Sequence, residues 1–272
     1  RWWMWRWKRS ARASVRKAFD ELKQGGRPGG RPAGRARGRR STLCLVPEGR
    51  VSTEQRTAMA KKRGTRNWMA EHVADPFVKR AQTEGYRSRA TYKLLEIDDR
   101  AHLLRPGMTV VDLGAAPGGW SQLAVRRVQP GGTVIALDRL EMEPIEGVTI
   151  LLADFEEEAG LQQLLAALPT GRADLVLSDM APNLSGVRGA DQVRAIALAE
   201  LALELAVQVL RPGGALVVKL FHGEGFDAWV QAARERFGRV NVRKPEASRS
   251  RSREVYAVAE GLFAGAGEAV DR

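Results

Sequence analysis

A lysine lies in the middle of an apolar run near the C-terminal end of the sequence, Leu216-Val217-Val218-Lys219-Leu220-Phe221. A charged ammonium buried among such neighbours costs several kcal/mol unless an acid pairs with it. Two carboxylates are available, since Asp179 ends one apolar segment and Glu254 begins another. A structural ion-pair network would explain these residues. A site that moves a proton is the favoured interpretation, because all three converge on the sheet edge where ligands bind.

A second candidate site is a loop of small residues within the run Val110-Val111-Asp112-Leu113-Gly114-Ala115-Ala116-Pro117-Gly118-Gly119-Trp120-Ser121-Gln122. The apolar residues before the loop predict a strand, and Pro117 is a residue tolerated in the first turn of a helix. Small side chains let the backbone approach a ligand, and the amides of a helix N-terminus favour an anionic group. The loop therefore predicts a nucleotide-like ligand with a negative end.

The glycine spacing narrows the kind of ligand. It is not Gly-x-Gly-x-x-Gly, and no Lys-Ser or Lys-Thr pair follows the last glycine, so the dinucleotide fingerprint and the phosphate-binding P-loop both fit poorly. An NAD(P)-linked oxidoreductase is therefore a disfavoured alternative. The close match that remains is the loop that holds S-adenosylmethionine (SAM) in Rossmann-like methyltransferases.

Aspartates follow the neighbouring predicted strands. Asp138 comes about 20 residues beyond the glycine-rich turn, where a carboxylate suits ribose hydroxyls. Asp154 ends the next strand and would face the amino edge of an adenine. Together with Asp112 and Asp179, these residues fall at or near the C-terminal ends of strands, the edge at which open α/β sheets bind ligands. Helix capping or turn formation is the alternative role of any one such aspartate.

The segments that must position these residues alternate between strand and helix patterns. This alternation predicts an α/β, Rossmann-like fold with a mostly parallel seven-stranded sheet and helices on both faces. Besides the strand and helix that flank the glycine-rich loop, we predict strands over residues 133–137, 148–153, 173–178, 215–221, 240–243 and 254–259. We predict helices over residues 68–82, 88–104, 161–168, 192–210 and 226–237, and a turn at Pro212-Gly213-Gly214.

The formal charge of +12 lies entirely in the N-terminal part of the chain. Residues 1–58 hold 16 Lys and Arg against 4 Asp and Glu, whereas residues 59–272 hold 28 against 28. RNA binding by the larger part must therefore rest on local clusters, for which an ordinary solvated face is the alternative interpretation. These clusters are residues 61–66, residues 79–80, residues 87–93, and Arg243, Lys244, Arg249, Arg251 and Arg253.

Residues 1–58 differ from the rest in composition. Tryptophan and arginine alternate at the start, and a Gly/Pro/Arg tract over residues 25–40 cannot build a core. We expect a disordered basic extension. Its possible functions are to bind a membrane surface or to bind RNA phosphates. The preferred hypothesis is an upstream start-site assignment, with a methyltransferase domain over residues 59–262 and a flexible tail over 263–272. Mass spectrometry of the native N-terminus tests it.

Composition excludes several other classes of site. Cys44 is the only cysteine, so an internal disulfide and a multi-cysteine zinc site are excluded, and a reducing compartment is expected. The three histidines, His72, His102 and His222, lack metal-ligand spacing. No apolar run approaches the ~18 residues that a membrane span needs. We therefore predict no metal and no membrane partner.

Five separated motifs closely resemble the FtsJ/RrmJ family of ribosomal RNA methyltransferases. The resemblance covers about residues 59–260, and the motifs agree in order and spacing. They are the glycine-rich run quoted above, Arg87-Ser88-Arg89-Ala90 before Lys93, Ser178-Asp179-Met180-Ala181-Pro182-Asn183, Val217-Val218-Lys219 with Gly223-Glu224-Gly225-Phe226, and Ser250-Arg251-Ser252-Arg253-Glu254-Val255-Tyr256.

The resemblance implies a SAM-dependent 2′-O-ribose methyltransferase. Its substrate would be a uridine in the A-loop of the peptidyl-transferase centre, in large-subunit (23S) ribosomal RNA, and the enzyme would be cytoplasmic and monomeric. The implied catalytic tetrad is Lys93, Asp179, Lys219 and Glu254. The implied SAM-binding residues are Gly114, Gly118, Trp120, Asp138, Asp154 and Asp179, with packing in the core as the alternative role of Trp120.

The tetrad also suggests a division of roles. Lys219 would accept or orient the hydroxyl proton and Asp179 would orient Lys219, while Lys93 and Glu254 would arrange the ribose. Two alternatives stay open at this point: a catalytically silent RNA-binding ribosome-assembly factor, and a 2′-O-methyltransferase that acts on transfer RNA. The intact tetrad argues against the first, and the segments 223–225 and 250–254 favour the ribosomal branch.

Overall fold

The computed structural model describes residues 75–183, 185–249 and 251–266. The predicted extension over residues 1–58 and the basic segment 61–66 lie outside these residues. So do His72, the first part of the helix predicted over residues 68–82, and most of the predicted tail.

Seven strands form one sheet with the order β3-β2-β1-β4-β5-β7-β6. Neighbouring strands from β3 to β5 pair in parallel, whereas β7 runs antiparallel to both β5 and β6. The predicted fold class, a mostly parallel Rossmann-like sheet, is confirmed. The strands are β1 (Thr109–Leu113), β2 (Thr133–Asp138), β3 (Val148–Leu152), β4 (Ala173–Ser178), β5 (Leu210–Phe221), β6 (Phe237–Arg243) and β7 (Glu254–Leu262).

Helices cover both faces of the sheet, because alternate residues of the central strands are buried on opposite sides. On one face, Val110, Leu175 and Val217 pack with α2 and α3. On the other face, Val111 and Val176 pack with α4, α5 and α6. The helices are α1 (Pro76–Glu84), α2 (Thr91–Ala101), α3 (Gly119–Val128), α4 (Glu158–Ala167), α5 (Arg188–Val209) and α6 (Phe226–Arg234).

Several predicted boundaries are wrong, and two of the differences have a common cause. The helix predicted over residues 226–237 ends at Arg234, because Phe237 pairs with Leu262 in the β6–β7 ladder. The turn predicted at residues 212–214 lies inside β5, where the pairing with β4 shifts from Ala173–Leu210 to Leu175–Ala215. Both differences depend on pairing between segments that are distant in sequence. In the described residues, no helix has the length and apolar character needed to cross a membrane.

The helix predicted over residues 88–104 is shorter at both ends. It begins at Thr91, after a turn in which Ser88 Oγ accepts a hydrogen bond from the Ala90 amide at 3.1 Å. It ends at Ala101 because His102 adopts a left-handed conformation, with φ of 50°. The inward face of α2 includes Leu94 and Ile97, which are buried against the sheet. This packing fixes the position of Lys93, one residue before Leu94.

Candidate active site

A cavity of about 300 Å³ opens at the C-terminal ends of β1, β2, β3 and β4. Four of the predicted site residues, Gly114, Asp138, Asp154 and Asp179, line it. Apolar walls are provided by Leu137, Phe155, Met180 and Leu198 among others. Carboxylates set among apolar side chains suit a flat base that carries a ribose and a nearby positive charge.

The glycine-rich loop is shaped by backbone hydrogen bonds and by the absence of a side chain at Gly114. The amides of Gly114 and Ala115 both donate to Leu137 O, at 2.9 and 3.3 Å. Gly114 has φ of +69°, and a Cβ placed on it would lie 2.4 Å from Met180 Cγ. A larger residue would therefore strain the backbone and push Met180, a lining residue, toward the cavity.

Asp138 and Asp154 each support the backbone around the cavity. Asp138 Oδ2 accepts from the Ala116 amide at 2.9 Å, and its Oδ1 accepts from the Leu140 amide at 2.8 Å. Asp154 Oδ1 accepts from the Glu156 amide at 2.9 Å. Each carboxylate oxygen has a second lone pair for a ligand. The predicted ligand-binding role and the turn-forming alternative are therefore compatible at both positions.

Trp120 and Gly118 lie behind the cavity rather than on its wall. Trp120 is 3% exposed, its Nε1 donates to Ala90 O at 2.7 Å, and its ring centroid is 5.7 Å from that of Tyr256. Gly118 caps the N-terminus of α3 with φ of +105°. Neither is among the described residues that line the cavity. The position of Trp120 corresponds to the packing role left open for it above.

Three elements and the loop after β4, which contains Asp179, bring the four residues of the predicted tetrad together. Lys219, from β5, is 8% exposed, and its Nζ lies 2.7 Å from Asp179 Oδ1 and donates to Asp179 O at 2.7 Å. Lys93, from α2, lies with its Nζ 2.7 Å from Glu254 Oε1 at the start of β7. The buried lysine thus has the acidic partner that the sequence requires.

Tyr256 joins the two ion pairs. Its hydroxyl donates to Asp179 Oδ1 at 2.6 Å, and Lys93 Nζ lies 3.2 Å from the same hydroxyl oxygen. Tyr256 reaches this place because it is the β7 residue paired with Lys219 of β5. The sequence alone does not mark Tyr256 as a site residue. The available signal was one hydroxyl group within an otherwise apolar strand, but its meaning depends on the register between β5 and β7.

The charges in this network fix the protonation of Asp179 and Tyr256. Burial acts to raise the pKa of Asp179, but the positive charges of Lys219 and Lys93 and the hydrogen bonds from Lys219 and Tyr256 outweigh it and hold the pKa below its ordinary value. Burial raises the pKa of Tyr256 well above its ordinary value, and the nearby Asp179 and Glu254 reinforce the effect. The site therefore contains an ionised carboxylate and a neutral phenol.

Asp112 lies beneath the site without lining the cavity. It is 1% exposed, and Ser121 Oγ donates to its Oδ2 at 2.6 Å. Burial raises the pKa of Asp112 to about 7, the Ser121 hydrogen bond opposes this rise, and the negative charges of Asp179 and Asp138 add to it. Asp112 thus differs from the other three strand-end aspartates, which have access to the cavity.

Several predicted basic residues bind other parts of the protein. Arg87 donates to Pro117 O, Glu143 O and Pro144 O, at 3.3, 2.6 and 2.7 Å. Arg89 pairs with Asp75 and donates to Ala247 O. The side chains that remain exposed near the start of β7 include Arg251 and Arg253. In the described part of the chain, no group of three or more His, Cys, Asp or Glu residues could hold a metal ion.

Known proteins resemble this chain over the region that contains the site. Residues 86–262 match the family described as FtsJ-like methyltransferase. The chain is 55% identical over 204 residues to the ribosomal RNA large subunit methyltransferase E of Marinobacter nauticus, an alignment that covers 75% of this chain and 99% of that protein. The protein of the same name from Pseudomonas paraeruginosa is 56% identical, with the same coverage.

A solved structure has the same fold. It is described as a ribosomal RNA methyltransferase from Plasmodium falciparum, has 26% sequence identity and a TM-score of 0.57, and covers 65% of this chain and 99% of its own. The span of the family match, residues 86–262, includes Lys93, Asp179, Lys219 and Glu254. The chain therefore belongs to the FtsJ-like methyltransferase family.

Proposed function

We propose that the protein transfers the methyl group of SAM to a ribose 2′-hydroxyl of large-subunit (23S) ribosomal RNA. The observation that supports this best is the position of Asp179, which lines the cavity and also accepts from Lys219 and Tyr256. A single carboxylate thus joins the cofactor cavity to the network that would handle the hydroxyl. The proposed target is the uridine of the A-loop, with methylation supporting late maturation of the large subunit.

The cavity residues fit the chemical groups of SAM. Asp138 would accept from the ribose hydroxyls and Asp154 from the adenine amino group, while Phe155 and Leu198 offer apolar surface to the base. Asp179 would face the positive sulfonium, and Gly114 and Gly118 give the loop backbone the shape it needs near the amino-acid end. Bound SAM supplies a methyl group that its sulfonium already activates for displacement.

The residues of the chain then have to position the ribose and move its proton. Lys219 Nζ, held by Asp179 Oδ1 and O, is placed to orient the 2′-hydroxyl, and in its neutral amine form it would take the hydroxyl proton as the oxygen attacks the methyl carbon. Asp179 stays ionised and would stabilise the ammonium that this proton transfer forms on Lys219. Lys93 and Glu254, fixed by their own ion pair, would hold the ribose in line.

The curated relatives support the choice of substrate. They are named as large-subunit ribosomal RNA methyltransferases, and the chain spans almost their full length. Ribosomal RNA as the substrate places the proposed activity in the cytoplasm, where its partner is the 50S subunit. All of the site residues come from one chain, and we propose a monomeric enzyme.

Tritium transfer tests the proposal directly. Labelled SAM and the protein are mixed with large ribosomal subunits that lack their normal ribose methylations, and the product is mapped by alkali-resistant cleavage. One 2′-O-methyl site in the 23S RNA is the expected result. Methylation of transfer RNA alone would show that transfer RNA, and not 23S RNA, is the substrate. If the protein binds SAM but transfers no methyl group to any RNA, we would conclude that it is a catalytically silent ribosome-assembly factor.

A further inference from the structure

An exposed aromatic pair lies just beyond the end of β5. The rings of His222 and Phe226 have centroids 4.6 Å apart and planes inclined by 46°. His222 is exposed, whereas Phe226 is half-buried and packs against the core cluster beneath α6. One side of the His222 ring is therefore supported by the protein, and the rest of the ring is open to solvent.

The pair lies close to the proposed point of methyl transfer. His222 follows Lys219 by three residues, which limits the separation of their Cα atoms to about 11 Å. His222 directly follows Phe221, the last residue of β5, which pairs with Glu254 of the tetrad. The His222 amide donates to Arg253 O at 3.1 Å, one residue before Glu254. The backbone that presents the His222 ring thus adjoins the residues proposed to hold the target ribose.

Buried Gln192 holds the loop that contains His222 in one conformation. Its Nε2 donates to Phe221 O at 3.2 Å and to Glu224 O at 2.9 Å, so it binds the loop on both sides of the histidine. Gly223, with φ of +148°, lies so close that an added Cβ would be 2.9 Å from Gln192 Cδ. The ring is therefore presented by a fixed backbone, and binding a ligand there need not order the loop.

Two exposed arginines lie near the pair, together with the exposed acids Glu224 and Asp227. Arg253, whose backbone oxygen accepts from His222, has an exposed side chain, and Arg251 is exposed two residues earlier. Aromatic rings stack on unpaired bases while basic side chains contact the phosphates, and this combination is typical of single-stranded RNA sites.

We propose that His222, supported by Phe226, is a stacking platform for an unpaired base that adjoins the target nucleotide, and that Gln192 is its positioning residue. This proposal rests on the proposed function, because it assumes an RNA strand whose ribose lies at Lys219. It adds a specificity element, since a stacked neighbour would place the target ribose only in an unpaired or splayed strand.

Steady-state kinetics with the full chain and undermethylated large-subunit RNA test the platform. His222→Ala should raise KM for RNA by about 5- to 100-fold, the range expected when one base loses its stacking partner. His222→Phe should restore KM to within a few-fold, whereas His222→Gln, which is polar but has no ring, should behave like alanine. SAM affinity should stay unchanged in all three. An unchanged KM in His222→Ala, or no rescue by Phe, would overturn the proposal.

A binding experiment separates this proposal from the proposed function. A single-stranded RNA of the target sequence, with 2-aminopurine at positions next to the target, is titrated with protein in the absence of SAM. Quenching by the unmodified protein and by His222→Phe, but not by His222→Ala, supports stacking whether or not methyl transfer occurs. Equal quenching by all three proteins contradicts it, even if methyl transfer is confirmed.

Gln192→Met tests the positioning role, because methionine keeps the length of the side chain but cannot donate to the two carbonyls. Its effect on KM for RNA should not add to that of His222→Ala in the double variant, since both act on the same contact. A merely structural role would lower stability and give additive effects. Additive effects would therefore remove Gln192 from the proposal.

Discussion

Lys219 and Asp138 lie in one site but should affect different steps. Lys219→Ala removes the group placed to orient the 2′-hydroxyl, so methyl transfer should fall by about 10²–10⁴-fold while SAM affinity stays within a few-fold. Asp138→Ala removes an acceptor from the cavity wall and should weaken SAM binding by roughly 10-fold or more. Calorimetry with SAM and single-turnover tritium transfer separate the two effects. Substantial transfer by Lys219→Ala would remove that residue from the mechanism.

Tyr256→Phe tests the link between the two ion pairs. The substitution keeps the ring that packs on Trp120 but removes the hydroxyl that donates to Asp179 and lies next to Lys93. Because hydrogen bonds to charged groups are among the stronger ones, we expect kcat to fall about 10- to 100-fold. Thermal melting serves as the control for folding. A kcat equal to that of the unmodified protein would show that the bridge has no part in transfer.

Asp112 gives the protein a specific pH dependence of stability. Its folded pKa of about 7 lies above its ordinary value of 3.8, so the folded protein keeps a proton that the unfolded chain has released between these values. This contribution to the free energy of unfolding is complete below about pH 4 and is lost as the pH rises through about 7.

Asp112→Asn removes that titration and leaves a neutral side chain next to Ser121. The free energy of unfolding of the unmodified protein, relative to the variant, should therefore fall by roughly 2–3 kcal/mol between pH 5 and pH 8. Urea unfolding at several pH values measures the difference. A difference that is constant with pH would assign the titration to another group.

At the scale of secondary structure, the start of α4 supports the cavity. A Cβ on Gly160, in the first turn of α4, would lie 2.1 Å from the backbone oxygen of Asp154. Gly160→Ala must therefore move the segment that presents Asp154, and we expect SAM affinity to fall about 10-fold with a loss of about 1–3 kcal/mol of stability.

Gly189→Ala is the matched control for this prediction. Gly189 lies in the first turn of α5, and nothing lies within 4 Å of an added Cβ. Alanine there should leave SAM affinity unchanged and stabilise the helix by up to ~1 kcal/mol. Equal effects of the two substitutions on SAM binding, measured by calorimetry, would show that close packing at Gly160 does not position Asp154.

Local patterns were sufficient to predict most of the sheet and the edge of the sheet at which the cavity opens. The apolar run at residues 173–178 predicts β4 with its observed bounds, and parallel strands bring their C-terminal aspartates to one edge whatever the strand order. The helix boundary at Arg234 could not be predicted, because Phe237 belongs to a strand only through its pairing with Leu262, which is distant in sequence.

At the proposed catalytic residues, too, some contacts can be predicted from the local sequence and others depend on the fold. A lysine among apolar neighbours requires an acidic partner when it is buried, and Asp179 is that partner, as predicted. The bridging role of Tyr256 arises only from the antiparallel register of β5 and β7, which no local pattern encodes. Likewise, the sequence marks Arg89 as basic, but only the fold shows that Asp75 and Ala247 bind it.

For the whole molecule, charge and catalysis belong to different parts of the chain. Residues 1–58 account for the net charge of +12, and residues 59–272 sum to zero. A chain that starts at Met59 should therefore keep kcat within a few-fold but bind non-specific RNA more weakly, with a shallower salt dependence. Filter binding over a range of salt concentrations measures this. An unchanged salt dependence would mean that the extension does not contact RNA, and a lost kcat would assign it a role in the site.

The antiparallel strand β7 sets the order in which the site becomes complete during synthesis. The residues that line the cavity lie between Gly114 and Leu198, whereas Lys219 and Glu254 come later in the chain. Because β7 lies between β5 and β6 in the sheet, the last of the described strands to leave the ribosome is an interior one. If Lys219 and Glu254 have the proposed roles, a growing chain contains the residues of the cavity before those of methyl transfer, and it gains activity only after β7 has been inserted.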